Sequence, residues 1–405
     1  MTKKNLLIKN TIQKEFLNKN LENKLSKDFK KITEEINTNI ENVKNIYNIL
    51  SNNFIFNFKI KDLNKFKKFN NIAIFGMGGS ILGSEAIYEF LGKKIKKKVH
   101  FFNDMNEDKI ANLKKKNQID KTLFLVISKS GNTVETLSNF LFLDIIKNNK
   151  KNIIIISEKK NNVLFSLSKK FNLFFISHKN HISGRYSVLS EVGVVPAYLM
   201  GLNIIKLRTK LKKYLKTRDK DFLRDSSVKL ASLLYRKKFT NLIFLNYAPQ
   251  LEKFLYWCQQ LIAESLGKEG KGFLPVISNA PKDHHSLLQL YLDGPKDKLF
   301  YIFSLEQAFN QKLNTKKFTD KINYLNNKKL NVIKNAQRNA LIKSLKINKI
   351  PFREFKINKL NEETLGELFS YYILETSIIG KLIRINPFDQ PAVEQVKFFT
   401  KKLLN

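Results

Sequence analysis

The chain predicts an α/β protein with mainly parallel sheets, arranged in two successive domains, and three observations lead to that reading. From Asn71 onward, short apolar runs alternate with amphipathic stretches, the pattern of strands joined by crossover helices. A second alternating run opens at Asn241-Leu-Ile-Phe-Leu-Asn-Tyr247 and continues through Leu299 to Phe303 and Phe352 to Ile357. Two apolar runs of the first unit end in turns crowded with glycines or hydroxyls, as strand-to-helix turns that hold a ligand do. The 405 residues are enough for two ordinary domains whose cores need neither disulfides nor metals.

In chain order, residues 1 to about 60 read as a polar, lysine-rich helical arm, with Leu21, Leu25, Phe29, Ile32 and Ile36 at helical spacing. Candidate strands follow at Ile72 to Phe75, Leu123 to Ile127, Ile153 to Ile156 and Leu173 to Ile176. The polar stretch from Lys206 to Asp225 interrupts the rhythm before the second unit begins. The boundaries read as an arm over 1–60, a first α/β domain over 61–210, a second over 211–385, and a closing loop and helix over 386–405.

Lys and Arg number 73 against 35 Asp and Glu, a formal charge of +38. Lysine, asparagine and isoleucine are high along the whole chain, so the charge reads as compositional bias over a solvated surface. A nucleic-acid stripe would instead be local and interleaved with aromatics, so no specific nucleic-acid partner is expected. The excess still steers small phosphorylated anions. Cys258 stands alone, which excludes an internal disulfide, and no Cys/His cluster suggests zinc. The start MTKKNLLIKN lacks a leader's apolar run, and Val192 to Ile205 is broken by Pro196 and Asn203, so a cytoplasmic protein without a membrane span is expected.

The chemistry concentrates in five segments. In Gln259-Gln-Leu-Ile-Ala-Glu-Ser265, Gln260 and Glu264 are four apart and share a helical face, an amide beside a potential base. Phe254, Cys258, Leu261 and Ser265 form a separate packing stripe. Gly76-Met-Gly-Gly79-Ser80 follows a strand, where glycines let backbone amides approach an anion. It has neither the Walker lysine nor the third Rossmann glycine, which argues against ATP and NAD. Ser128-Lys129-Ser130-Gly-Asn-Thr133-Val-Glu-Thr136 brings four hydroxyls and a lysine to one helix start, where helix capping would use one or two. Ser183-Gly-Arg185-Tyr-Ser187 offers a guanidinium that could stabilise an oxyanion. Asn386-Pro-Phe-Asp-Gln390 sets Gln390 in a turn, with Lys397 on the helix after it. Taken singly, each has an ordinary structural explanation: a solvated Glu, a tight turn, a surface lysine.

Together, GGS, SKSGxTxET, GRxS, QQxxxES followed by GK, DxHS and NPFDQPxVE occur in the order and at roughly the spacing of the glucose-6-phosphate isomerase family, which the chain closely resembles from Gly76 to Lys397. The resemblance implies two αβα-sandwich sugar-isomerase domains with mainly parallel sheets, an N-terminal helical arm and a C-terminal helix. It also implies a homodimer acting on a sugar phosphate without metal or redox cofactor. Carried over by motif, Gly79, Ser80, Ser128, Lys129, Ser130, Thr133 and Thr136 hold the substrate. Gln260 and Gln390 position the sugar, Arg185 faces a developing enediolate, and Glu264 moves a proton between C1 and C2. His285, reaching in from a neighbouring subunit, assists ring opening with Lys397. The chain departs from the family at Asn132, where threonine is frequent, at Ala392, where glycine is common, and in the extra imidazole of His284. Two other readings stand beside this one: an isomerase that also accepts mannose 6-phosphate, and a sugar-phosphate sensor on the same domains.

Overall fold

The computed structural model describes residues 5–115, 119–306 and 310–404. Among these residues ten strands form two five-stranded sheets. In chain order they are β1 (Leu6–Thr11), β2 (Asn71–Phe75), β3 (Lys98–Phe102), β4 (Thr122–Ile127), β5 (Ile153–Ser157), β6 (Phe174–Ser177), β7 (Asn241–Asn246), β8 (Leu274–Asn279), β9 (Lys298–Leu305) and β10 (Phe352–Ile357). The first sheet is parallel throughout, in the order β3-β2-β4-β5-β6. The second runs β1-β10-β9-β7-β8, parallel except for β1, which pairs antiparallel with β10.

Every residue of β4 and β5 is buried, as parallel strands covered by helices on both faces must be. Alternate residues enter different cores: Phe124, Val126, Ile153 and Ile155 pack on one side of the sheet, and Leu123, Leu125, Ile154 and Ile156 on the other. The second sheet behaves likewise, with Ile243, Phe300 and Ile302 on its outer face. Its inner residues Leu242, Phe244, Leu299 and Phe355 join the same core as the inner face of the first sheet. Each such side chain contributes about 1.5–3 kcal/mol relative to exposure. One shared core therefore fastens the two sheets and the helices between them.

The expected arm needs correction at its start. Lys19–Asn39 is a helix that buries Leu25, Phe29 and Ile36, yet Leu6–Thr11 is a strand closing the edge of the second sheet. Asn10 within it accepts from Arg353 Nε at 2.6 Å and donates to Asp225 at 2.8 Å. Arg353, fully buried, pairs in turn with Glu375 at 2.9 Å. The stretch Lys206–Asp225 is also more regular than its polarity suggested, since it runs into the helix Thr217–Arg236.

In each sheet the strand order reverses beside the strand next to one edge: β2 has β3 on one side and β4 on the other, and β7 has β8 and β9. Crevices outside the carboxyl ends of strands at such reversals are where open α/β sheets bind ligands. The glycine loop after β2, the hydroxyl loop after β4 and the helix after β7 all start there.

Candidate active site

The helix Glu252–Leu266 carries the candidate base. It opens with Glu252 in the first turn, favourable to the helix dipole, and stops at Gly267. Phe254, Leu255, Trp257, Cys258, Leu261 and Ile262 are buried, and the helix packs on Leu82–Leu91 and Glu362–Leu382. The remaining edge leaves Gln260 and Glu264 half-buried, and Gln260 Nε2 donates to Glu264 Oε1 at 2.9 Å. Beneath Gln260 lies Gly78, with φ +51°, where an added Cβ would sit 2.5 Å from the amide nitrogen. At Gly79 a Cβ would come within 2.2 Å of the Gly184 carbonyl carbon. Only glycine permits this stacking of the glycine loop under the helix and against the arginine loop.

Arg185, 1% exposed, uses its whole donor fork. Nε donates to Ser265 Oγ at 2.8 Å. One terminal nitrogen donates to Gln390 Oε1 at 2.6 Å and to Glu264 Oε2 at 3.3 Å, and the other to the Pro387 and Asp389 carbonyls, each at 2.8 Å. The Tyr186 hydroxyl donates to the same Ser265 Oγ at 3.0 Å, and burial pushes its pKa up to about 12. The turn at Asn386–Gln390 is held a second time by Lys268, whose ammonium donates to Asp389 Oδ1 at 2.5 Å and to the Asp389 carbonyl at 2.6 Å. Those bonds hold the Asp389 carboxyl below its usual range. Glu264 thus lies between a fixed cation and a fixed amide, its side chain 29% exposed and open to a ligand.

The hydroxyl loop is organised locally. Ser128 Oγ and Thr133 Oγ1 are 2.8 Å apart, Ser130 Oγ is 3.4 Å from Thr133 Oγ1, and the amides of Gly131 and Asn132 donate to the two serines. Thr136, one turn into the next helix, is buried with its hydroxyl unpartnered. Ser80 is half-buried on the neighbouring glycine loop. Lys129 leans away from the hydroxyls: it donates to the Asn180 carbonyl at 2.9 Å, with Glu158 at 3.7 Å, and burial lowers its pKa.

Two expected residues lie apart from this cluster. His285 is exposed at the end of the short 3-10 turn Lys282–His285. Its neighbour His284 is half-buried and shares a 2.7 Å hydrogen bond with the Tyr247 hydroxyl. Lys397 stands on Glu394–Leu404, a helix that buries no residue, and among the described residues it bonds only to Glu394, at 2.7 Å. The turn Gln390 and the helix bearing Lys397 fall where the sequence placed them. Lys268 and Asp389, by contrast, carry no role in the sequence reading, and Ser265 only a packing one. All three sit inside quoted motifs, but what they grip lies roughly 80 to 120 residues away and no local pattern carries that.

Among the described residues no helix is long and apolar enough to cross a membrane. The architecture is that of the two-sheet sugar-isomerase proteins. It aligns with a structure of a hypothetical protein from Thermus thermophilus at a TM-score of 0.82 and 22% identity, covering 98% of this chain and 100% of that one. It aligns also with a glucose-6-phosphate isomerase from Chlamydia trachomatis at 0.77 and 16% identity, covering 99% and 88%. The chain belongs to the phosphoglucose isomerase family, whose model matches residues 8–274. It is 35% identical to a probable glucose-6-phosphate isomerase of Methanococcus maripaludis, over 84% of this chain and 80% of that protein. With the glucose-6-phosphate isomerase of Methanocaldococcus jannaschii it shares 30% over 85% and 87% respectively.

Proposed function

We propose that this chain interconverts D-glucose 6-phosphate and D-fructose 6-phosphate by ring opening and a cis-enediolate intermediate, as a step of glycolysis and gluconeogenesis in the cytoplasm. The observation that carries the reading is Glu264 held at 3.3 Å from Arg185 and 2.9 Å from Gln260 above the glycine loop. An aldose and its ketose differ by one proton exchanged between adjacent carbons, so one carboxylate on one face of the sugar serves both directions. Glu264 takes the proton from C2 and returns it to C1. Arg185 faces the oxygen on which negative charge develops, and its five donors are already oriented by the protein, so little reorganisation is needed as the charge forms.

Ser128, Ser130, Thr133 and Thr136, with Gly79, Ser80 and Lys129, hold the phosphate end of the substrate. The unpartnered Thr136 hydroxyl and Gln260 Oε1 suit a polyhydroxylated ligand. Gln390, fixed by its 2.6 Å bond to Arg185, positions the sugar together with Gln260. His285 and Lys397 assist ring opening. Their exposure in one chain fits a homodimer in which His285 serves a neighbouring site. The reaction draws on no metal or redox cofactor.

The test is a dehydrogenase-coupled assay of fructose 6-phosphate conversion by wild type and Glu264→Gln without added metal. Removing a general base costs about a hundred- to ten-thousand-fold, so the variant should lose at least about a hundredfold in turnover while keeping its fold. A wild type that binds the sugar phosphate without turning it over would favour the sensor reading. An unaffected variant would remove Glu264 from the role of base.

A further inference from the structure

At the amino ends of β7, β9 and β10 lies a cavity of about 220 Å³. None of the residues of the candidate active site lines it. Its walls are aromatic. Phe16 packs edge-on against Phe239 with centroids 5.1 Å apart, and Tyr291 against Phe300 also at 5.1 Å. Phe239, Tyr291, Phe300 and Ile350 are each at least 95% buried, so the interior is largely apolar and preformed.

The mouth is cationic. Lys238, Lys296, Lys298 and Lys349 surround it, with Glu15 the single carboxylate in the lining. Two of the lysines are occupied: Lys298 donates to Asp297 at 2.7 Å and to the Pro295 carbonyl at 2.9 Å, and Lys296 donates to the Leu292 carbonyl. Lys238 and Lys349 have no carboxylate partner among the described residues. The Lys238 ammonium stands 4.9 Å from the Phe16 ring centroid, at the boundary between apolar interior and charged rim.

We infer that this cavity is a second binding site, distinct from the sugar-phosphate site, for a small amphipathic monoanion: a carboxylate on a ring or short hydrocarbon tail. Size and charge each select part of that description. An apolar cavity of roughly 150 Å³ accepts one benzene ring, so this one, at about 220 Å³, takes a ring and a short tail. A sugar phosphate would leave its hydroxyls unpaired against four aromatic rings, which excludes the substrate class. A neutral hydrocarbon would fill the interior and leave Lys238 and Lys349 unused, whereas a carboxylate at the mouth meets both.

The test is calorimetric titration of the full chain with 3-phenylpropionate, and with 3-phenylpropan-1-ol as the uncharged counterpart. The acid should bind saturably and at least about tenfold more tightly than the alcohol. Lys238→Gln/Lys349→Gln, altering two exposed side chains, should weaken the acid about five- to tenfold while isomerase activity stays unchanged. Saturating fructose 6-phosphate should not displace it. Displacement by the sugar phosphate would assign the acid to the catalytic site. Equal binding of acid and alcohol would overturn the anion, and absence of saturable binding would overturn the site.

Discussion

Arg185 and Lys397 are both cations of the proposed machinery, yet their settings differ completely. Arg185 is 1% exposed and bonded to two distant segments of the chain, to Glu264 and Ser265 on one helix and to Pro387, Asp389 and Gln390 near the C-terminus. Lys397 stands on a helix that buries nothing and leans on Glu394, three residues before it. The first is positioned by folding, so its orientation is settled before substrate arrives and its loss unsettles the protein. The second makes its one described bond within its own exposed helix, so its loss should leave the fold alone.

The largest effect expected from this contrast is at Arg185→Ala. It removes an electrostatic stabiliser, worth roughly a hundred- to thousandfold in turnover. It also leaves buried carbonyls and Glu264 uncompensated, at a cost of about 3–5 kcal/mol in urea unfolding. Arg185→Lys should recover little, because one ammonium cannot reach Ser265, Gln390 and two carbonyls together. A folded, fully stable Arg185→Ala protein would break the comparison.

The buried side also predicts a pH dependence. Burial pulls the His178 pKa down to about 4, with the ring donating through Nδ1 to the Lys179 carbonyl at 2.8 Å. The unfolded chain binds this proton near pH 6.5 and the folded chain only near 4, so stability is present above 6.5 and is lost as pH falls between the two. The full difference is worth about 3 kcal/mol. Chemical unfolding at pH 7 and pH 5 should show this loss in wild type and a flatter profile in His178→Gln. Identical profiles would mean that the imidazole is hydrated in solution.

Gly79→Ala comes next. Its methyl would meet the Gly184 backbone at 2.2 Å, so one of the two loops must move, at about 1–3 kcal/mol and with lost turnover as Arg185 shifts. The smallest stability effect belongs to Lys397→Ala, within about 0.5 kcal/mol of wild type. Its turnover should nevertheless fall, by at least about tenfold if the lysine serves ring opening. Unchanged turnover would place the exposed helix outside the chemistry and sharpen the contrast to one between site and surface.

Much of this was legible in the residues. β4 and β5 announce themselves because nearly every position is apolar and all are buried. β3 does not, since Lys98 and His100 alternate with its apolar positions on a sheet edge, and β8 carries Pro275, which an edge strand tolerates. The Gln260–Glu264 pair follows from helical spacing alone. The grip of Lys268 on Asp389, and of Arg185 on Gln390 across 205 positions, depends on how the two sheets meet, which no window of sequence contains.

The pairing of β1 with β10 sets a timetable for a chain made from its amino end. Roughly 340 residues separate the two strands, and at about 5–20 residues per second the ribosome needs on the order of 20 to 70 s to deliver the second after the first. The first sheet, from β2 to β6, lies within residues 71–177 and can close long before that. Throughout synthesis, then, Leu6–Thr11 emerges early and waits. Its lysine- and asparagine-rich surroundings suit that interval, because they keep an unpaired edge soluble until its partner is made.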